Sequence, residues 1–307
     1  VLHSHMSPVE RHHQWRKICA GQTPVVIGPR SAIFAPLPRL GLIVLDEEHE
    51  GSFKQDNLPR YHARDVALHR AYLEQIPLVL GSATPSLESW KRAQSGAYRL
   101  ASLPRRIHNR PLPQVGLIDL RSQKPEPGRG AITRELHQAI ERTLVEKGQV
   151  ILLLNRRGFA TTIQCPQCGH VVACPDCDLP LTHHRDGGKA CCHYCDFTIP
   201  TPPACPQCKF AGVRFSGLGT QRLEVEVRQR FSQANVARMD SDTMRKPGSH
   251  ERVLGQFREG KIDILLGTQM IAKGLDFPNV LLVGVINADT SLHFPDFRAA
   301  EKTFQLV

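Results

Sequence analysis

The sequence contains no long apolar run and no signal-peptide pattern. A membrane-spanning helix needs roughly 20 consecutive apolar residues, and no stretch of the 307 residues approaches that length. An initiator methionine is missing as well, and the last residues, EKTFQLV, stop inside an apparent helix. We therefore expect a cytosolic globular protein without a membrane partner, present as a piece of a longer chain.

Length and charge set broad limits on the protein. A chain of 307 residues is long enough for two domains, since a domain usually has about 100–200 residues. The formal net charge is +10 and the pI is near 9.3. A basic balance favours a polyanionic partner such as nucleic acid, although a merely solvated basic surface would carry the same charge.

Short apolar runs alternate with helical patterns along the chain. Such runs are typical of strands buried on both faces, and alternating strands and helices predict parallel sheets and an α/β fold. The expected strands lie within 24–32, 42–49, 78–86, 150–158, 262–269 and 280–289. The expected helices lie within 60–75, 85–94, 133–148 and 220–231, with Thr133 as the N-cap of the third. A Pro- and Gly-rich stretch, 121–130, is the candidate linker between two lobes.

Four acidic side chains follow one of the expected strands. They are Asp46, Glu47, Glu48 and Glu50, and they come at the strand end where open parallel sheets bind ligands. Carboxylates crowded in this way repel each other unless a cation is present, and an aspartate after an apolar strand holds Mg²⁺ in many nucleotide-hydrolysing proteins. The cluster predicts a Mg²⁺–nucleotide site, with a solvated turn as the alternative.

The order of motifs resembles one helicase family. Nine segments follow one another, with a cysteine array among them: GPRSAIFAP, DEEHEGSFKQ, YHARDVA, GSATPSLES, LNRRGFA, GLGTQRLEVEV, RMDSDT, GTQMIAKGLDFPNV and HFPDFRAAEKTFQL. Together they are similar to the primosomal protein N′ family, the replication-restart DNA helicases of superfamily 2.

The resemblance implies a fold and a function. The fold would be two RecA-like parallel-sheet lobes, the first incomplete, with a zinc-binding insertion in the second. The implied boundaries are 1–120 for the first lobe, 121–130 for the linker, 131–162 and 213–307 for a truncated second lobe, and 163–212 for the insertion. The function would be ATP-dependent 3′-to-5′ unwinding at stalled or branched forks, with single-stranded DNA, other primosome proteins and the loading machinery of the replicative helicase as partners.

The resemblance also implies roles for individual residues at the nucleotide site. Asp46 would hold the Mg²⁺ of bound ATP, and Glu47 would activate the hydrolytic water. Glu48 and His49 would complete the acidic box. Two hydroxyl residues after the next strand, Ser82 and Thr84, would couple hydrolysis to movement of the lobes. In the second lobe the matching nucleotide and coupling residues are Gln269, Gly274 and Asp276.

DNA contacts are implied for aromatic and basic residues in the motif loops. They would be Arg30, Phe53, Lys54, Tyr61, Arg64, Arg157 and Lys273. Basic side chains on loops can neutralise phosphates without reading base sequence, as a translocating motor requires. The alternative for the segment from Phe53 to Arg64 is an ordinary loop followed by the start of a helix.

Two motifs of the family are missing from this sequence. No G-x-x-x-x-G-K-[ST] occurs, so the main anchors of the β- and γ-phosphates are absent, and the final arginine motif is absent too. We therefore expect little ATP hydrolysis by this piece alone. The alternative to a motor enzyme is a non-catalytic, zinc-containing DNA-binding scaffold of the primosome with a helicase-like fold.

Nine of the ten cysteines lie between Cys165 and Cys208, and eight of them form four C-x-x-C pairs. In a chain without secretory signals this pattern indicates metal rather than disulfides. The 14 residues between the two inner pairs approach the spacing of about 15–20 in zinc ribbons. The inner pairs therefore predict one Cys₄ site and the outer pairs a second: Cys174, Cys177, Cys192 and Cys195, enclosed by Cys165, Cys168, Cys205 and Cys208.

Both sites are expected to hold structural Zn²⁺, because four thiolates leave no open coordination position. Other side chains could serve as alternative ligands. Cys191 could replace Cys192, although only Cys192 keeps the spacing to Cys195. A histidine could also replace a cysteine, and the candidates are His170, His183, His184 and His193.

Overall fold

The structure is a computed structural model that describes residues 1–3, 6–106, 109, 111–122, 130–154, 162–184, 188–211, 214–216, 220–240, 243–244, 248–268, 271, 277–292 and 296–307. The chain divides into two compact units, Val1–Pro111 and Leu112–Val307. Most of the expected linker, 123–129, lies outside the described residues. The domain boundaries inferred from the sequence therefore stay predictions. No helix in the described part of the chain is long and apolar enough to cross a membrane.

The first unit combines α-helices with a small parallel sheet. Its helices are α1 (Pro8–Cys19), α2 (Ala63–Glu74) and α3 (Leu87–Gln94), and its strands are β1 (Ile43–Leu45), β2 (Lys54–Gln55), β3 (Tyr61–His62) and β4 (Leu78–Leu80). Strands β1 and β4 pair in parallel, whereas β2 and β3 form a separate antiparallel pair. Short 3₁₀ turns lie at Arg30–Phe34 and Gly51–Phe53.

Helix α2 packs on the parallel sheet through small side chains. Ala63, Ala67 and Ala71 recur every fourth residue and are buried, which is the spacing of one helix face. Ala67 and Ala71 lie in one core cluster with Ile43 and Leu45 of β1. Because alanine adds little bulk, the helix can lie close to the strand that leads into the acidic cluster.

The second unit is built on a larger parallel sheet and a ribbon. Its helices are α4 (Arg134–Val145), α5 (Thr220–Arg230), α6 (Ser249–Arg258) and α7 (Ala299–Leu306). Its strands are β5 (Gln149–Leu154), β6 (Thr162–Gln164), β7 (Thr182–His184), β8 (Lys189–Cys191), β9 (Thr198–Pro200), β10 (Arg214–Ser216), β11 (Val236–Met239), β12 (Ile264–Gly267) and β13 (Val280–Ile286). The parallel sheet has the order β11-β12-β5-β13, and the antiparallel ribbon sheet has the order β10-β6-β7-β8-β9.

Both faces of the parallel sheet are covered by helices. On one face Leu152 of β5 packs in a cluster with Ile140 of α4 and Leu223 of α5. On the other face Leu153, the next residue of β5, packs in a cluster with Phe257 of α6. Successive strand residues point to opposite faces, so burial on both sides explains why the strand reads as a continuous apolar run. The α/β fold with a parallel sheet, as expected of a RecA-like lobe, is confirmed.

One expected strand is wrong, and two helices, α1 and α6, were not expected. Residues 24–29 form no strand, and Arg30–Phe34 is a 3₁₀ turn. Val25 and Ile27 are 67% and 63% exposed, and Pro29 has no N–H to donate to a sheet. Helix α1 has a capping box at its start, in which the Ser7 side chain accepts from the N–H of Glu10, a signal that is visible in the sequence.

Candidate nucleotide site and zinc centres

The acidic cluster emerges at the carboxyl end of β1, beside the end of β4. The N–H of Gly81 donates to the carbonyl of Leu45 at 2.8 Å, and the N–H of Glu48 donates to the carbonyl of Gly81 at 3.0 Å. These two bonds join the acidic segment to the segment that carries Ser82. Asp46 and Glu47 are exposed at this edge, which leaves their carboxylates open to a ligand.

Glu47 has an unusual backbone conformation. Its φ is 49°, in the left-handed region that residues other than glycine seldom adopt. The Oδ1 atom of Asp46 accepts from the N–H of Glu47 at 3.0 Å, and the carbonyl of Glu47 accepts from the N–H of Glu50 at 2.8 Å. Such backbone strain concentrates at functional sites, so the conformation supports a functional role for this turn.

One of the expected coupling residues, Ser82, contacts the acidic box directly, and the other, Thr84, is bonded to Ser82. His49 Nδ1 is 2.7 Å from Ser82 Oγ and 3.4 Å from a carboxylate oxygen of Glu47. Ser82 Oγ also accepts from the N–H of Thr84 at 3.0 Å. The sequence-predicted group of Glu47, His49, Ser82 and Thr84 is thus brought together at one sheet edge. The imidazole of His49 therefore connects the Ser82 segment with the carboxylate of Glu47.

Glu48 lies on the other side of the turn and is buried, with 2% of its surface exposed. Its carboxylate accepts from the N–H of Ser86 at 2.7 Å, from the Oγ atoms of Ser89 at 2.9 Å and Ser86 at 3.1 Å, and from Arg64 Nη1 at 3.1 Å. Burial raises the pKa of Glu48, but the hydrogen bonds from Ser86, Ser89 and Arg64 outweigh it, so the pKa is held below its ordinary value. The group is an ionised acceptor at neutral pH.

This network separates the roles of neighbouring carboxylates. The sequence placed Glu48 with Asp46 and Glu47, but the contacts of Glu48 fasten the acidic turn to the first turn of α3 and to α2. Arg64 was expected at the DNA, yet its side chain is only 11% exposed and its guanidinium is bonded to Glu48 and Ser86. These two residues therefore position the turn, and a contact of Arg64 with DNA stays a prediction.

The other residues expected at DNA in the first unit have different surroundings. Arg30 donates to the carbonyls of Ser52 at 3.0 Å and Lys54 at 2.7 Å, which fixes the loop after the acidic box. Tyr61 makes an edge contact with Phe34, with ring centres 5.0 Å apart, and Phe53 packs partly buried against the core of the unit. Lys54 is 68% exposed at its side chain.

The remaining expected site residues lie outside the part of the chain that the structure describes. They are Arg157, Gln269, Lys273, Gly274 and Asp276. Their roles stay predictions.

The eight paired cysteines form two separate clusters with the predicted nested composition. One cluster is Cys165, Cys168, Cys205 and Cys208, and the other is Cys174, Cys177, Cys192 and Cys195. Within each cluster the sulfur atoms lie within 4.8 Å of one another. The Sγ–Sγ distance is 3.6 Å for Cys165–Cys208, 3.7 Å for Cys168–Cys205 and 3.5 Å for Cys174–Cys195. These distances exclude disulfides. Tetrahedral Zn²⁺ with Zn–S bonds of about 2.3 Å requires sulfurs about 3.8 Å apart, so both clusters fit zinc.

All four C-x-x-C pairs share one backbone turn. In each pair the N–H of the residue four positions after the first cysteine donates to the carbonyl of that cysteine, at 2.9–3.0 Å. That residue has a positive φ in every case, and the four are Gly169, Asp178, Asp196 and Lys209. Only one of them is glycine, so the motif was not visible as a glycine pattern. The repeated turn aims both sulfurs of a pair at one point.

The pKa values of the thiols also fit a bound cation. Backbone N–H groups of Cys195 and Tyr194 lower the pKa of Cys192 to about 7, whereas the neighbouring Cys195 side chain raises the pKa of Cys177 to about 12. Four thiolates so close together cannot all ionise without a counter-charge, and a divalent metal supplies it.

Two alternatives from the sequence are resolved by this geometry. Cys191 belongs to neither cluster, and its sulfur accepts from Thr198 Oγ1 at 3.3 Å. No described histidine joins either cluster.

Two family models match the chain. The model described as the PriA DNA helicase Cys-rich region (CRR) domain matches residues 174–200, which include all four cysteines of the inner cluster. The model described as the Helicase conserved C-terminal domain matches residues 218–300, which include α5, α6 and three strands of the parallel sheet. The first match and the two Cys₄ clusters support structural zinc.

Curated relatives match along the whole chain. The chain is 52% identical to the Replication restart protein PriA of Bacillus subtilis (strain 168), 46% to that of Synechocystis sp. and 45% to that of Treponema pallidum. All of this chain is covered in each comparison, but only 38%, 38% and 46% of the respective relatives. The chain therefore spans less than half the length of these proteins. The family resemblance inferred from the motifs is confirmed.

Proposed function

We propose that this chain, which is similar to PriA replication restart proteins along its entire length, is the central part of such a protein. The complete protein would be an ATP-dependent DNA helicase that translocates 3′ to 5′ and binds stalled or branched forks. It would start primosome assembly and the loading of the replicative helicase, with single-stranded DNA and other primosome proteins as partners. We place it in the reducing cytoplasm, where zinc thiolates persist.

The observation that carries the proposal is that the carboxylates of the acidic box differ in exposure and in contacts. Asp46 and Glu47 are exposed at the carboxyl end of a parallel strand, where such sheets bind ligands. Glu48, the next residue, is buried, and its hydrogen bonds with Ser86 and Arg64 fix the turn. A plain solvated turn would not need a four-donor anchor for one carboxylate while leaving its two neighbours open.

The side chains at this edge can divide the steps of hydrolysis among them. Mg²⁺ bound to a nucleoside triphosphate would neutralise the phosphate charge, and Asp46 would hold it. Glu47 would orient and deprotonate the attacking water. His49 contacts both Glu47 and Ser82, so it can relay the position of the Ser82–Thr84 segment to the catalytic carboxylate.

The test uses the complete parent protein rather than this piece. ATP hydrolysis is measured with and without forked DNA for the wild type, Glu47→Gln and a control, Glu74→Gln. Glu74 pairs with Arg70 on the surface of α2 and has no contact with the acidic box. We expect forked DNA to stimulate the wild type and the control, and Glu47→Gln to lose hydrolysis by a factor of about 100 or more. Equal rates in the three proteins would contradict the role of Glu47.

A second candidate is a zinc-containing DNA-binding scaffold of the primosome without catalysis. The observation that favours it is the absence of a G-x-x-x-x-G-K-[ST] segment from these 307 residues. The parent gene distinguishes the two functions, because a motor requires that segment upstream of Val1. A parent protein that lacks it, and that binds forked DNA without hydrolysing ATP, would be the scaffold.

A further inference from the structure

Two histidines of the ribbon meet through their ring nitrogens. His184 Nε2 lies 3.2 Å from His193 Nε2. The ring centres are 5.1 Å apart and the planes cross at 67°, so the rings do not stack. Because the nitrogens are much closer to each other than the ring centres are, the facing edges of the rings carry the nitrogens. Both residues are exposed.

The two side chains are carried by hydrogen-bonded elements. His184 ends β7 and is paired with Lys189 of β8 in the antiparallel register. His193 lies between the cysteines of an inner zinc pair, in a turn closed by backbone bonds from Cys192 to Phe197 at 2.8 Å and from Asp196 to Cys192 at 3.0 Å. A hydrogen bond between two exposed imidazoles would stabilise the fold only slightly, because water competes for both rings. Stability of the ribbon alone therefore gives no strong reason for the pair.

The separation matches that of two imidazoles on one transition metal. Metal–nitrogen bonds of about 2.0–2.1 Å place two cis nitrogens about 2.9–3.4 Å apart, from octahedral to tetrahedral geometry. The observed 3.2 Å lies inside this interval. We propose that His184 and His193 form a third metal site of the ribbon, which takes a divalent ion that favours imidazole, such as Zn²⁺, Ni²⁺ or Cu²⁺.

This site differs in kind from the two Cys₄ clusters. Among the described residues no third Cys, His, Asp or Glu joins the pair, so water must fill the other coordination positions. Two protein ligands on an exposed surface bind a metal reversibly, whereas four thiolates enclose it. The site is therefore exchangeable, and it lies one residue away from Cys192 of the inner zinc cluster. The inference does not depend on the proposed helicase function.

The experiment titrates the zinc-loaded 307-residue chain, prepared without a polyhistidine tag, with Ni²⁺ in a calorimeter. Nickel is the probe because it favours imidazole, while thiolate clusters retain zinc. The wild type should bind one equivalent, and His184→Ala and His193→Ala should each lose it. The matched control is His183→Ala, because His183 lies next to His184 on β7 but contacts Thr201 Oγ1 at 2.9 Å instead. This control should bind as the wild type does.

Zinc content is measured in every protein to separate loss of the third site from damage to the ribbon. Two Zn²⁺ per chain should remain in all variants. If His193→Ala also loses zinc, His184→Ala decides, because His184 lies outside the cysteine turns. Wild-type chain that binds no Ni²⁺, unchanged binding in His184→Ala, or an equal loss in His183→Ala would each overturn the proposal. The first result would mean that the contact is a simple hydrogen bond, and the other two that nickel binds elsewhere.

Discussion

Replacement of Glu48 should strongly destabilise the first unit, because its buried carboxylate accepts four hydrogen bonds. Glu48→Ala removes the acceptor of four hydrogen bonds. Their donors are the backbone N–H and the hydroxyl of Ser86, the hydroxyl of Ser89 and Nη1 of Arg64. Breaking one partner out of a buried ion pair destabilises a protein by about 3–5 kcal/mol, and each orphaned buried donor by about 1–3 kcal/mol. Arg64 keeps Ser86 as an acceptor and lies 3.8 Å from Asp65. We therefore expect the lower end, about 3 kcal/mol.

The chain offers a probe that reports on the first unit alone. Its two tryptophans, Trp15 and Trp90, both lie in Val1–Pro111. Urea unfolding of the 307-residue chain, followed by tryptophan fluorescence, therefore measures the free energy of unfolding of that unit without a signal from the zinc ribbon. Circular dichroism at the same urea concentrations follows the parallel sheet and helices of both units.

Two matched variants define the result. Glu48→Gln keeps the shape but turns one acceptor into a donor that faces other donors, so we expect about 1–2 kcal/mol of destabilisation. Glu47→Gln changes a side chain that is 56% exposed, and surface changes usually stay within about 0.5 kcal/mol. A loss below about 0.5 kcal/mol in Glu48→Ala, or an equal loss in Glu47→Gln, would refute the anchoring role of Glu48.

Three further predictions follow from the same contacts. The pKa of Glu48 is lowered from 4.5 in the folded state, so the contribution of its carboxylate to stability is complete above pH 4.5 and is lost as the pH falls through the folded pKa. A plot of the urea midpoint against pH should therefore fall on the acid side for the wild type, and this fall should be smaller in Glu48→Gln. Cys192→Ser and Cys205→Ser should each reduce the metal content from two Zn²⁺ to one, and loss of both ions in both variants would contradict two independent clusters. Gly169→Ala should lower the zinc affinity of the outer cluster about fivefold, or about 1 kcal/mol, because φ is 78° at this position. Asp178→Gly should leave the zinc affinity of the inner cluster equal or higher. Competition with a zinc chelator measures both affinities.

The sequence predicted the elements that have strong local signals. Most of the parallel strands were visible as apolar runs, and the clearest is Gln149–Leu154, which is buried on both faces. Strand β11, Val236–Met239, was not expected, because its arginine interrupts the apolar run. Helix α4 was placed by Thr133, whose side chain accepts from the N–H of Leu136. The two Cys₄ sets followed from spacing, because a zinc ribbon constrains the loop between two pairs. In each case a short-range rule was sufficient.

Contacts between distant segments could not be predicted in this way. The Glu48 carboxylate is held by residues 16 to 41 positions away, and nothing in the local pattern separates it from Glu47. The expected strand at 24–32 failed because an apolar run indicates a strand only where neighbouring strands can pair with it, and Val25 and Ile27 remain exposed. The positive φ of Asp178 and Lys209 depends on the turn that the metal ligands require, not on the residue type.

The most direct measurement of the central claim is ATP affinity of the complete parent protein with Mg²⁺ and with EDTA, compared between wild type and Asp46→Asn. If Asp46 holds the metal of the bound nucleotide, Mg²⁺ should strengthen ATP binding by the wild type, and Asp46→Asn should lose that gain while matching the wild type in EDTA. Binding that is independent of Mg²⁺ in the wild type, or that gains equally from Mg²⁺ in Asp46→Asn, would contradict the assignment of the acidic edge as a nucleotide site.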